Sequence, residues 1–219
     1  MTADSLASAL QEGMQELQLP IDEAQQQALL SYLDLLQRWN KAYNLTAVRD
    51  PRAMVHKHLL DSLAISALLP DQARHFLDVG TGGGLPGVPL SIMHPDRQFD
   101  LLDSNGKKTR FLFQVKTALG LDNMAVHHSR AESWNPEQAY DVVLSRAFAS
   151  LLDMVTSCKH LCRDGGYFLA MKGQMPEREL AELPPWVEPG VIHQLVVPGL
   201  DEERHLVVLH KPVPKTGLA

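Results

Sequence analysis

With 219 residues, 45% of them hydrophobic and 21% charged, the chain can close one substantial core with a small appendage but hardly two full domains. Its net charge of −6 speaks against a surface coated with cations, and no apolar run reaches the ~20 residues of a membrane span. No Lys or Arg precedes Arg38, so the charged flank of a signal peptide is missing, and a cytoplasmic monomer is expected.

The N-terminal part reads as helix. Leu6, Leu10, Met14 and Leu17 recur at helical spacing, then Leu29, Leu33, Leu36, Trp39 and Tyr43, then Val55, Leu59, Leu63 and Ser66. Asp22 with Gln25 has the form of a capping box, and Asp50-Pro51 sets a capping side chain before a proline at the first helical position. Three helices, a cap over residues 1–71, are expected. Trp39 and Tyr43 fall on the apolar stripe of the second helix and belong in the core. His56 and His58 are two apart and do not share a helix face, so they read as packing or surface residues.

From residue 72 the rhythm changes to short β-rich runs: "HFLDVG", "FDLLD", "MAVHHS", "DVVLSRAF", "GYFLAMKG", "IHQLVV" and "HLVVLHK". Helical patterns separate most of them, which predicts right-handed crossovers and a mostly parallel sheet over residues 72–219. Only "PGLDEER" divides the last two runs, so those should be antiparallel neighbours. His127 and His128 point to opposite faces of one strand, and Cys158 and Cys162 lack partners for a zinc site. No metal is expected, and both thiols read as reduced core residues.

The first strand ends in "FLDVGTGGGLPGVPL". Asp78 followed by Gly80, Gly82, Gly83 and Gly84 puts a turn without side chains at the carboxyl edge of the sheet, where open α/β folds bind ligands. Leu85-Pro86 is then expected to open a helix whose free N–H groups suit a carboxylate or a phosphate. Two cofactor classes fit. Gly82, Gly84 and Gly87 satisfy the dinucleotide fingerprint, which keeps an NAD-dependent oxidoreductase open. Asp78, Gly80, Gly82 and Gly84 resemble equally the first motif of class I S-adenosylmethionine methyltransferases, and Asp103 closes the next strand where either class grips ribose hydroxyls. Seven strand-like runs ending in a hairpin, and Ala131 with Glu132 in "SRAES" where methyltransferases contact adenine, favour the methyltransferase.

Charge is unevenly spread. Arg38, Lys41, Arg49, Arg52 and Lys57 form one basic island and Lys107, Lys108, Arg110 and Lys116 another, both suited to phosphate. Of these, Arg38, Lys41, Arg49, Lys107, Lys108 and Arg110, together with Lys172 at the end of the fifth strand, are the candidates for contact with RNA. A non-catalytic RNA-binding module would keep the islands without needing Asp103 or the glycines.

Taken in order, "RWNKAYNLTAVRDP", "HLLDSL", "FLDVGTGGGLPGVPL", "LLDSNGKKTRFL", "SRAFASL", "MKGQ" and "ERHLVVL" resemble the RsmG family, also called GidB, over nearly the full length. The resemblance implies a class I, Rossmann-like seven-stranded α/β methyltransferase with its last strand antiparallel and an N-terminal helical cap. It implies S-adenosyl-L-methionine as methyl donor and 16S ribosomal RNA, or the small ribosomal subunit, as partner, with N7 of the guanine at nucleotide 527 as acceptor. Carried over by position, Gly80 and Leu85 match the family's cofactor loop, Ala131 and Glu132 its adenine side, and Arg146 of "SRAF" a further cofactor-site residue. Gly83 stands where many members have proline. Guanine N7 holds an in-plane lone pair, so no general base is needed and orientation is the enzyme's task. No residue is singled out as catalytic; Arg146, with five fixed donors, is the candidate for positioning.

Overall fold

The structure, a computed structural model, describes residues 3–146 and 148–214. Helices α1 (Ala3–Glu16) and α2 (Glu23–Tyr43) come first. Asp22 starts α2 as the spacing predicts: its carboxylate accepts the Gln25 N–H at 2.7 Å, and Gln25 Oε1 accepts the Asp22 N–H at 3.1 Å. Two amides that a helix start leaves unpaired are thereby satisfied. The third helical stretch begins with α3 (Pro51–Met54), where Asp50 accepts the Ala53 N–H at 2.7 Å. It then widens into a π turn, Val55–Leu60, before closing as α4 (Asp61–Leu63). Periodicity predicts one uniform helix here. Asp61 and Ser62, which follow the wider turn directly, are both buried.

The seven strands are β1 (His75–Val79), β2 (Gln98–Asp103), β3 (Met124–His128), β4 (Tyr140–Ser145), β5 (Cys162–Lys172), β6 (Glu188–Leu195) and β7 (Arg204–Lys211). They form one sheet in the order β3-β2-β1-β4-β5-β7-β6. The first five are parallel, and β7 runs antiparallel to both β5 and β6, as expected for the last two runs. Between them lie α5 (Gly87–Met93), α6 (Gly106–Leu119), α7 (Leu151–Cys158) and the short α8 (Glu177–Ala181). The chain winds outward from β1 to β3 and then returns to β4 on the other side of β1. That reversal opens a crevice at the carboxyl ends of β1 and β4.

Alternate strand residues feed two cores. Phe76, Phe99, Leu101, Val142 and Leu144 join Leu29, Leu33 and Leu36 of α2 and Phe111, Leu112 and Val115 of α6 on one face. Leu77, Leu102, Val143 and Phe168 pack with Leu151, Met154 and Val155 of α7 on the other. Each such buried side chain contributes about 1.5–3 kcal/mol. The helical cap therefore shares the core of the sheet: α2 lies on α5 and α6, and the buried Tyr32 hydroxyl donates to the Gly83 carbonyl at 2.7 Å. Trp39 packs on Phe111 with centroids 5.6 Å apart, whereas Tyr43, stacked on Trp39, is 39% exposed rather than in the core. Tyr43 is the last residue of α2, a full turn beyond Trp39. Cys158 and Cys162 are free and buried, and burial pushes both thiols up to about 12, so they stay protonated at neutral pH.

Candidate active site

Asp78 organises the loop after β1. The Thr81 hydroxyl and the Gly87 N–H both donate to its Oδ2, at 2.7 and 2.8 Å, so one carboxylate folds the turn back onto the strand. The group is fully enclosed, and burial pushes its pKa up to about 7 against the lowering effect of those two hydrogen bonds. Two expectations need correcting here. The helix starts at Gly87 rather than at Leu85-Pro86, and its first N–H is already taken by Asp78, so that helix end is not free for a ligand.

The glycines serve different ends. Gly80, Gly82 and Gly84 have φ of 67°, 61° and 96°, a region that other residues enter only with strain. At Gly84 the cause is also packing, since a Cβ there would lie 2.5 Å from Val88 Cγ2 and 2.8 Å from Leu112 Cδ2. Gly80 alone of the three lines the cleft that opens beyond β1 and β2. That cleft, about 340 Å³, is bounded also by Asp103, Lys108, Ala131, Glu132 and Phe148. Asp103 Oδ2 accepts the Gly82 N–H at 2.9 Å, Oδ1 accepts the Asn105 N–H at 2.8 Å, and Lys108 Nζ stands 3.7 Å from Oδ2. Both oxygens keep lone pairs for further donors. Of the residues expected at the cofactor, Gly80, Asp103, Ala131 and Glu132 line this cleft. Asp78, Gly82, Gly84, Leu85 and Arg146, also expected there, are not among its lining residues.

Arg146 lines a second pocket of about 280 Å³ with Asp61, Lys172, Arg204 and His205. Asp61, 2% exposed, accepts from both arginines: Arg146 Nη1 is 3.1 Å from its Oδ2 and Arg204 Nε 3.0 Å from its Oδ1. Lys172 is not a free surface cation. Its Nζ pairs with Glu179 at 2.9 Å and reaches the carbonyls of Phe148 and Ala149 at 3.4 and 3.3 Å. Glu179 also accepts the Leu151 N–H at 2.7 Å, so this pair holds the segment that carries Phe148, which lines the cleft. His205 is 7% exposed, and its Nδ1, itself buried, has no hydrogen-bond partner among the described residues. Sequence reasoning missed Asp61, Arg204 and His205, although they lie in "HLLDSL" and "ERHLVVL", two of the segments on which the resemblance rests.

A family model for GidB, described as rRNA small subunit methyltransferase G, matches residues 25–207. The chain belongs to this family. It is similar to Ribosomal RNA small subunit methyltransferase G of Stutzerimonas stutzeri (strain A1501), with 51% identity over 96% of this chain and 98% of the relative. Among solved structures, TrmN from Thermus thermophilus shares the fold at 17% identity and a TM-score of 0.55, over 72% of this chain and 53% of that one. The [4+2]-cyclase SpnF does so at 14% identity and a TM-score of 0.58, over 87% and 96%. The architecture is that of class I methyltransferases. Because a cyclase shares it, the fold alone does not specify the reaction.

In this GidB-family chain the two basic islands sit on neighbouring helices. Arg38 pairs with Asp34 and Lys41 is exposed on α2. Arg49 donates to the Asn40 carbonyl at 3.2 Å and to Asn44 Oδ1 at 2.9 Å, tying the following loop to the end of α2. Lys107 and Arg110 are exposed on α6, which packs on α2, and Arg110 Nε donates to the Gly106 carbonyl at 3.2 Å. Lys108, on the same helix, faces the cleft through Asp103.

Proposed function

We propose that the chain transfers a methyl group from S-adenosyl-L-methionine to N7 of a guanine, nucleotide 527, in 16S ribosomal RNA of the small subunit. The observation that carries the reading is the adjacency, at one sheet edge, of a cleft bearing Asp103 and a cationic pocket bearing Arg146 and Arg204. Asp103 would hold the ribose hydroxyls, Gly80 would leave room for the methionine portion, and Ala131 with Glu132 would border adenine. The donor supplies an electrophilic methyl group on a sulfonium. Arg146 and Arg204 offer the second pocket hydrogen-bonding groups suited to guanine and its phosphate. Asp61, the carboxylate of that pocket, is bound by arginines on both oxygens and is not available as a base. None is needed, because N7 presents a lone pair and loses no proton; the side chains have to orient it.

Residues 1–71 form, in this reading, the cap whose Arg38, Lys41 and Arg49 border one RNA groove with Lys107, Lys108 and Arg110 of the 72–219 domain. Among the described residues no helix is long and apolar enough to cross a membrane, which is compatible with work on ribosomal particles in the cytoplasm. The test is transfer of labelled methyl from S-adenosylmethionine to small ribosomal subunits, followed by mild reduction and aniline. Scission at one guanine and a single-turnover rate flat from about pH 6 to pH 9 are expected. Methylated RNA that resists cleavage would mean another acceptor atom.

A further inference from the structure

We infer that Asp61 is a positioning residue for methyl transfer, a single buried carboxylate that holds the guanidiniums of Arg146 and Arg204 in one arrangement at the acceptor pocket. The inference rests on the reading of that pocket given under Proposed function. Its basis is a three-way junction. Arg146 follows β4, Arg204 opens β7, and Asp61 begins α4 directly after the π turn. The contact therefore spans the helical layer and two strand ends that are distant in sequence.

Each partner is constrained further. Arg146 Nη1 also donates to Ser62 Oγ at 3.4 Å, and Arg204 Nη1 donates to the Glu203 carbonyl at 2.8 Å while Nη2 reaches Glu202 at 3.5 Å. Asp61 is nearly enclosed, yet the arginine side chains remain 27% and 23% exposed. The carboxylate is the hidden member and the two cations are the ones a ligand can reach. Two guanidiniums facing one pocket repel each other; a desolvated carboxylate between them offsets that repulsion and fixes both forks.

Two roles for such a carboxylate predict opposite results. If the pocket needed only positive charge, removing Asp61 would raise the net charge and strengthen binding of RNA. If it needs the arrangement, removing Asp61 lowers the rate of transfer without weakening binding. Asp61→Asn keeps the shape and one acceptor oxygen but loses the charge, and it turns an amide N–H2 toward one guanidinium.

The experiment measures initial rates of Asp61→Asn, Arg204→Lys and the double variant with small ribosomal subunits and S-adenosylmethionine. Cofactor binding stoichiometry by calorimetry reports the folded fraction. For Asp61→Asn the expected result is kcat lower by about tenfold or more, with KM for particles not raised and the stoichiometry of cofactor binding unchanged. Arg204→Lys keeps the charge but loses the Nε contact, so it should lose kcat similarly, and the double variant should lose little more. Parental kcat in Asp61→Asn overturns the proposal, as does a loss confined to KM for particles or one matched by lost cofactor stoichiometry. If Asp61→Asn does not fold, parental kcat in Arg204→Lys overturns it. Failure of the parent protein to methylate particles would instead overturn the reading of the acceptor.

Discussion

Asp78 shows how a residue's type and place can be legible while its task is not. The end of β1 is where a ligand-holding acid belongs, and in the structure this acid holds the protein's own loop through Thr81 and Gly87. Its pKa rises from the ordinary 3.8 to about 7, chiefly because burial disfavours the charged form. In the unfolded chain the carboxyl releases its proton near pH 4; in the folded chain it keeps the proton until about pH 7. Between those values the folded state binds more protons, so this group's contribution to stability falls as pH rises across the window and stays low above it. Asp78→Asn cannot ionise and retains an acceptor for both donors. Urea denaturation should find the variant gaining on the parent from pH 5 to pH 8, by roughly 3 kcal/mol. Parallel stability profiles for the two proteins would contradict this account.

At the scale of elements, Asp141 ties three strands at the edge away from the cleft. Its Oδ2 accepts the Arg74 and His75 N–H groups at 2.7 and 2.9 Å, at the start of β1, and its Oδ1 pairs with Arg163 Nε of β5 at 2.6 Å. Burial alone would raise this pKa, but the hydrogen bonds from Arg74, His75 and Arg163 outweigh it and leave the carboxyl below the ordinary range. A depressed carboxylate stabilises above its unfolded value, and the benefit disappears as pH falls through the folded one. Asp141→Ala should therefore cost about 1–3 kcal/mol at pH 7 and much less in acid. Chemical denaturation at the two pH values checks this, and calorimetry should find cofactor affinity unchanged, since the substitution is at the opposite sheet edge. The elements themselves were largely readable: capping pairs at Asp22 and Asp50 and the alternation of strand residues are local patterns. The π turn at Val55–Leu60 was not, because one added residue in a turn barely disturbs the spacing of Val55, Leu59 and Leu63.

For the whole molecule, the cap and one face of the sheet share a hydrophobic core. Leu29, Leu33 and Leu36 of α2 pack in the same cluster as Phe76, Phe99 and Phe111, and Leu36 Cδ1 would be 3.2 Å from a Cβ at Gly83 in the glycine loop after β1. A shared core should melt as one unit. Far-UV circular dichroism and the fluorescence of Trp39, Trp134 and Trp186 should give coincident urea transitions. A chain cut to residues 72–219 would expose the apolar faces of α5 and α6 on which α2 rests, and it should lose cofactor binding along with its cooperative transition. Two separate transitions, or a truncated chain that still binds the donor, would show that the cap is a separate unit.

By itself the sequence determined the class of fold, the order of its strands along the chain, the glycine turn and the acid at Asp103, because helix caps, strand alternation and bare turns depend on neighbours a few residues apart. Tertiary structure alone decided which residues line a common pocket. Asp61, Arg146 and Arg204 come from three distant segments, and their convergence depends on how the helical layer meets the sheet and on where β7 enters between β5 and β6. The same holds for Lys172, which reads as a free cation at a strand end until Glu179 is found within 2.9 Å of it. A carboxylate's partners are set by distance in space, and the chain's spacing carries no record of that distance until the sheet is closed.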